Sequence, residues 1–394
     1  MIIRTFGWSF GVSAIGLVAA LAMGGPGALA LVAILAVLEI SLSFDNAVVN
    51  ARVIERMSRF WQRMFLTVGI VIAVFGMRLA FPLLIVGVTA RLSPGEAIGL
   101  ALDDAAEYGR RLHEAHPLIA AFGGMFLLLI FLDFVFEERE FAWLAWLERP
   151  LAKIGKLDQL SVVVALAVLL TATSVTASEP GPVLAAGVLG IVTYLLVNSL
   201  GRLFEAGGEE GDDDSGATTA GAGSSVGKAV GGEVGGKVGG AVGRAGFFLF
   251  LYLEVLDASF SFDGVVGAFA ISDDLLVIAL GLGIGAMYIR SLTIFLVRRG
   301  TLNEYVYLEH GAHWAIGALA AIMLIGLGHD VPEIVTGLIG LAFIGTAMIS
   351  STVRNRRVAG ASGLPDGAHA VLAGTPSTSA DAVGTLGTGT PGRH

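Results

Sequence analysis

The chain has 394 residues, 55% of them hydrophobic and only 14% charged, with a mean hydropathy of +0.79. So apolar a sequence excludes a water-soluble globular domain and predicts an all-α polytopic protein whose main partner is the lipid bilayer. Cysteine is absent, which excludes disulfides and thiolate metal sites, and the net charge of −9 gives no sign of a nucleic-acid partner.

Ten apolar runs are long enough to cross a hydrocarbon core of about 30 Å. They are residues 7–23, 28–49, 64–88, 117–136, 160–177, 182–200, 247–271, 275–297, 312–328 and 333–350. The first also reads as a signal peptide, with Arg4, an apolar stretch and a small-residue GALA site, so nine to ten transmembrane helices are expected. With ten spans and a cytoplasmic N-terminus, 19 of the 24 Lys and Arg residues fall on cytoplasmic segments. Positive charge near span ends is retained inside, so a multi-pass cell-membrane protein with both termini cytoplasmic is predicted.

Within the second run, LEISLSFDNAVV (38–49) places Glu39 and Asp45 among apolar residues, where a carboxylate costs at least a few kcal/mol and marks a functional site. The third run holds Arg78. Residues 90–116 form an outer segment in which Ser93, Pro94 and Glu96 spell a helix start, and a polar-faced helix to about His116 is expected. Residues 206–246 are Gly-rich with a short acidic block and read as a flexible cytoplasmic linker between membrane halves 1–205 and 247–353. Residues 354–394 read as a disordered cytoplasmic tail.

The second half repeats the first. LDASFSFDGVVG (256–267) aligns with 38–49 at a constant offset, pairing Glu39 with Asp257, Ser43 with Ser261, Phe44 with Phe262 and Asp45 with Asp263. The following run in each half carries one arginine, Arg78 or Arg290. Because the acidic runs are second and seventh, they cross in opposite directions, the inverted-repeat plan of many secondary transporters with a site near the midplane. Glu254 lies three residues before Asp257 on the same helical face and has only Ala36 as its counterpart.

Five acids (Glu39, Asp45, Glu254, Asp257, Asp263) against Arg78 and Arg290 leave an excess of negative charge that a divalent cation would relieve. The donors are carboxylate, the Asn46 amide, serine hydroxyl and backbone carbonyl, all hard oxygens suited to Mn²⁺, Mg²⁺ or Ca²⁺ and poorly suited to Cu⁺. The same carboxylates could carry protons in exchange. Arg78 and Arg290 read as counter-charges to the acids. The purely structural alternative is that these pairs only tie helices together.

The stretches LEISLSFDNAVVNA and LEVLDASFSFDGVVGAFAIS resemble the paired acidic motifs of the TerC family of integral membrane proteins, within the larger group that includes LysE-type exporters. AFGGMFLLLIFLDFVFEERE, with Glu137 and Glu138 at its cytoplasmic end, resembles the segment between them. The resemblance implies manganese export and an association with tellurium resistance, with metal ligands at Glu39, Asp45, Asn46, Glu254, Asp257 and Asp263. It departs at Gly264, where the family usually has serine. No GxxxxGK[ST] loop is present, so neither an enzyme nor a bound cofactor is expected, and transport would draw on an ion gradient or the membrane potential. The alternative from another class is a non-transporting membrane scaffold of the stress response. An amino-acid exporter of LysE type fits the anionic motifs poorly.

Overall fold

A computed structural model describes residues 2–139, 141–157, 159–176, 180–206, 243–272, 274–299, 305–329 and 331–362. The side chains of Asp45 and Asp263 are not among those described, nor are most of the expected linker (207–242) and the end of the expected tail (363–394). Every regular element among the described residues is helical, and no strand occurs. The chain forms two compact units, Met1–Ser351, which contains both expected halves except residues 352 and 353, and Thr352–His394.

In chain order the helices are α1 (Ile2–Leu42), α2 (Phe44–Glu55), α3 (Arg59–Val71), a π-helical segment (Ile72–Ala80) and α4 (Phe81–Thr89). They continue with α5 (Pro94–Asp103), α6 (Ala105–Phe136), α7 (Ala145–Ile154), α8 (Leu160–Thr176) and α9 (Pro180–Ala206). The set ends with α10 (Gly243–Ile271), α11 (Leu275–Arg299), α12 (Leu308–Ile325) and α13 (Glu333–Ser362).

Seven of the described helical stretches are long and apolar enough to cross a membrane, and Leu160–Val175 is a shorter apolar helix. The difference from the expected ten has three sources. Phe6–Leu42 counts as one stretch, α8 is short, and α10, which carries Glu254 and Asp257, is not among the seven.

Phe6–Leu42 is itself two helices joined across Gly24 and Gly25, the latter at φ 68°, a conformation that glycine alone adopts without strain. The two arms run in opposite directions along α11. On the first arm Ser9 meets Met287 and Ser291 while Gly16 meets Leu280 and Ile284. On the second, Gly281 lies against Leu35 and Gly285 against Glu39, so that arm runs parallel to α11. Between helices in lipid the hydrophobic effect offers no drive, and close packing over small residues takes its place. Gly281 and Gly285 supply it: a Cβ on either would stand 2.5 Å or less from an α1 side chain.

The outer segment departs from expectation in one respect. Ser93 and Glu96 make the reciprocal cap, with Ser93 N donating to Glu96 Oε2 at 2.8 Å. The helix they start ends at Asp103 rather than near His116. Asp104 then caps a new helix, accepting from Glu107 N at 3.0 Å, and α6 runs from Ala105 through Pro117 into the membrane-length stretch without interruption. Proline inside a helix removes one hydrogen bond, and here it does not end the helix.

Candidate functional site

The acidic motifs meet where the second arm of α1, α2, the π-helical segment, α10 and α11 pack together. The chain is interrupted for one residue at Ser43, whose φ/ψ of −98°/14° leaves the helical region, and then resumes as α2. The equivalent point in α10 is unbroken. The two stretches therefore differ: SFDN contains a break at Ser43, while SFDG lies within a continuous helix.

Glu39 is 1% exposed and accepts from two side chains. Arg78 Nη2 donates to its Oε1, and Ser43 Oγ donates to the same oxygen at 3.0 Å. Arg78 also donates through Nη1 to the Ala73 carbonyl, five residues back within the π-helical segment. Such segments are rare and gather at functional sites. Glu39 further packs on the second half: a Cβ at Gly264 would stand 3.0 Å from its Oε2, and one at Gly285 would stand 2.4 Å from its Cγ. Glycine at 264 therefore leaves room for the carboxylate that a larger residue would press upon.

Asp257 takes the matching place in α10. Its Oδ2 accepts from Arg290 Nη2 at 3.1 Å and its Oδ1 accepts from Asn46 Nδ2 at 2.6 Å. The latter bond joins the two motifs directly. Arg290 also reaches the Gly69 carbonyl at 3.4 Å, and its guanidinium lies 3.7 Å from the centroid of the Phe65 ring, a cation–π stack. Each buried arginine thus lies against the central acid of its own half.

Glu254 is different. It is 4% exposed, its Oε1 stands 3.7 Å from Arg290 Nη2, and neither carboxylate oxygen accepts a hydrogen bond. The carboxylate rests on α3, where a Cβ at Gly69 would be 2.7 Å from Oε1. The three described carboxylates, Glu39, Glu254 and Asp257, face two guanidiniums, so one negative charge is in excess among the described side chains. Asp45 and Asp263, named with them from sequence, lie outside the described side chains. Among the described residues no group of three or more His, Asp or Glu is arranged as a ready metal site.

Two features went unnoticed in the sequence. Asn50, one turn after Asn46, is 0% exposed, and neither its Oδ1 nor its Nδ2 has a hydrogen-bond partner. Its signal was an amide four residues from another in an apolar run. The second feature is a polar node at the end of α6. Glu309 bridges Arg52 at 3.0 Å and Arg139 at 3.2 Å, and Arg139 pairs with Glu137 at 2.8 Å. Glu148 on α7 accepts from Trp143 N at 2.9 Å and Trp314 Nε1 at 3.0 Å. A cavity of about 330 Å³ opens beside it, lined by Phe134, Glu137, Glu148, Arg149 and His310 among others. Glu138 pairs with Lys156 at 2.9 Å on the surface.

Residues 44–358 match the family described as a protein of unknown function, DUF475. No curated protein and no solved structure matches the chain.

Proposed function

The chain belongs to the DUF475 family, and we propose that it exports a divalent cation, most of all Mn²⁺, from the cytoplasm through the acidic site between its halves. One observation carries this reading: Glu254 is buried, accepts no hydrogen bond and supplies a negative charge beyond what Arg78 and Arg290 offset. Glu254 shares Arg290, at 3.7 Å, with Asp257, and a buried charge so incompletely offset is costly unless a cation or a proton completes the balance. Carboxylate and amide oxygens select a hard ion, and the resemblance of the two motifs to TerC favours manganese among hard ions. Exchange of the metal for protons on the same carboxylates gives the export its driving force.

The reading places the protein in the cell membrane with both termini cytoplasmic. Its support is the placing of 19 of 24 basic residues and the packing directions of the helices. The first arm of α1 runs antiparallel to α11 and the second parallel, as spans one, two and eight of a ten-span chain would.

A second reading has its own observation. Glu39 with Arg78 and Asp257 with Arg290 are close, buried pairs, which is what a non-transporting scaffold associated with tellurium resistance would use to tie its helices. Cellular metal content, measured element by element with and without the chain, separates the two. Export lowers manganese and leaves copper unchanged. Unaltered manganese favours the scaffold, and a fall in copper or zinc alone contradicts the hard-oxygen site.

A further inference from the structure

Two contacts fix how the acidic motifs face one another. Gly264 lies against Glu39 Oε2, and Asn46 donates to Asp257. Seven residues forward along the first motif thus correspond to seven residues back along α10, an antiparallel register. Continued by one turn of α2, that register sets Asn50 opposite Leu253, at the depth of Glu254.

Their faces agree as well as their depths. Residues four apart lie on one side of a helix, so Asn50 shares the stripe by which Asn46 reaches α10. Glu254, three residues before Asp257, shares the stripe by which Asp257 receives Asn46. Both side chains are more than nine-tenths buried, and all four of their polar atoms lack a hydrogen-bond partner. Buried polar groups are nearly always satisfied, and an amide and a carboxylate left unsatisfied on facing stripes at one depth ask for a shared ligand.

We propose that Asn50 and Glu254 form a second subsite for the transported divalent cation, one helical turn from the Asn46–Asp257 contact. Glu254 supplies the charge and Asn50 Oδ1 a neutral oxygen ligand, while the Asn50 amide hydrogens orient water kept by the ion. Small hard cations are held by one or two carboxylates and retain several waters, which suits so sparse a protein ligand set. The inference rests on the transport reading above, because it assigns a place along the same route.

The test uses the full chain reconstituted in vesicles, with Mn²⁺ as the probe. Initial flux is measured against Mn²⁺ concentration, and the thermal midpoint of the detergent-solubilised protein is measured with and without Mn²⁺. Asn50→Leu removes both polar atoms at similar volume and is expected to raise KM by roughly tenfold or more, the scale of losing a metal-site interaction. Its metal-free midpoint should hold or rise, because an unsatisfied buried amide has gone. Asn50→Asp keeps the oxygen and should retain a KM near that of the wild type. If Asn50→Leu does not fold, Asn50→Ala carries the same expectation. A wild-type KM in a folded Leu or Ala variant overturns the subsite and leaves the transport reading standing. No Mn²⁺ flux in the wild type overturns both.

Discussion

Asn46 on α2 donates a 2.6 Å hydrogen bond to Asp257 on α10, joining residues 211 apart in sequence and locking the first acidic motif to the second. Hydrogen bonds to a buried charge are stronger than neutral ones, and losing one partner leaves the other unsatisfied. Asn46→Ala should therefore lower the stability of the membrane unit by about 2 kcal/mol. Thermal unfolding of the purified variant checks the loss, and a stability equal to the wild type's would show that the bond does not tie the halves.

Glu39→Gln separates charge from shape. The amide keeps the size of the carboxylate but leaves Arg78 buried without its counter-charge, a loss on the order of 3–5 kcal/mol. Abundance should fall along with export. The double variant Glu39→Gln with Arg78→Met removes both charges and should regain most of the stability without regaining export. Recovery of export in the double variant would mean that Glu39 serves only to neutralise Arg78.

Gly285 tests the packing that positions Glu39. Its added Cβ would lie 2.4 Å from Glu39 Cγ and 3.1 Å from the Ala36 carbonyl, with no flexible side-chain end to move aside. Gly285→Val should destabilise by about 1–3 kcal/mol, the usual cost of overpacking. Gly345, beside which nothing lies within 4 Å, provides the control. Similar unfolding midpoints for the valine variants at the two positions would contradict the close approach of α1 and α11.

Composition rather than contact motivates a fourth prediction. Deleting residues 212–240 leaves about a dozen residues to join the two membrane halves, a reach that a Gly-rich tether covers easily. Insertion and metal efflux should both survive. Efflux lost from a protein that still inserts would assign the stretch a regulatory or binding role.

Much of this arrangement was legible in the sequence because apolar runs and misplaced charges are strong signals. Each of the ten runs lies largely on a helix, and the GGP stretch at 24–26 marks the turn between the first two. An arginine in the run after each acidic motif foretold that counter-charges were available. Which acid each would choose was not legible, since that depends on the π-helical segment around Arg78 and on the crossing of α3 and α11 at Gly69. No local sequence rule marks either feature. The restart at Asp104 was readable, because Asp104 followed by Glu107 repeats the Ser93 and Glu96 capping pattern. A smooth polar face across residues 90–116 concealed it. The node joining Arg52, Arg139 and Glu309 brings together residues from three distant segments, so only the fold reveals it.

Manganese efflux from cells producing the Asp257→Asn variant, with protein abundance measured in the same samples, decides whether the acidic site carries an ion or only holds helices together. Asn46 and Arg290 both converge on Asp257, so its charge is the one that joins the two motifs. Asp257→Asn takes a carboxylate charge from buried Arg290, so abundance should fall, and transport through this site predicts that the protein remaining in the membrane, compared with wild type at matched amount, leaves cell manganese as high as in cells without the protein. A variant that at matched amount still lowers manganese at the wild-type rate would contradict it.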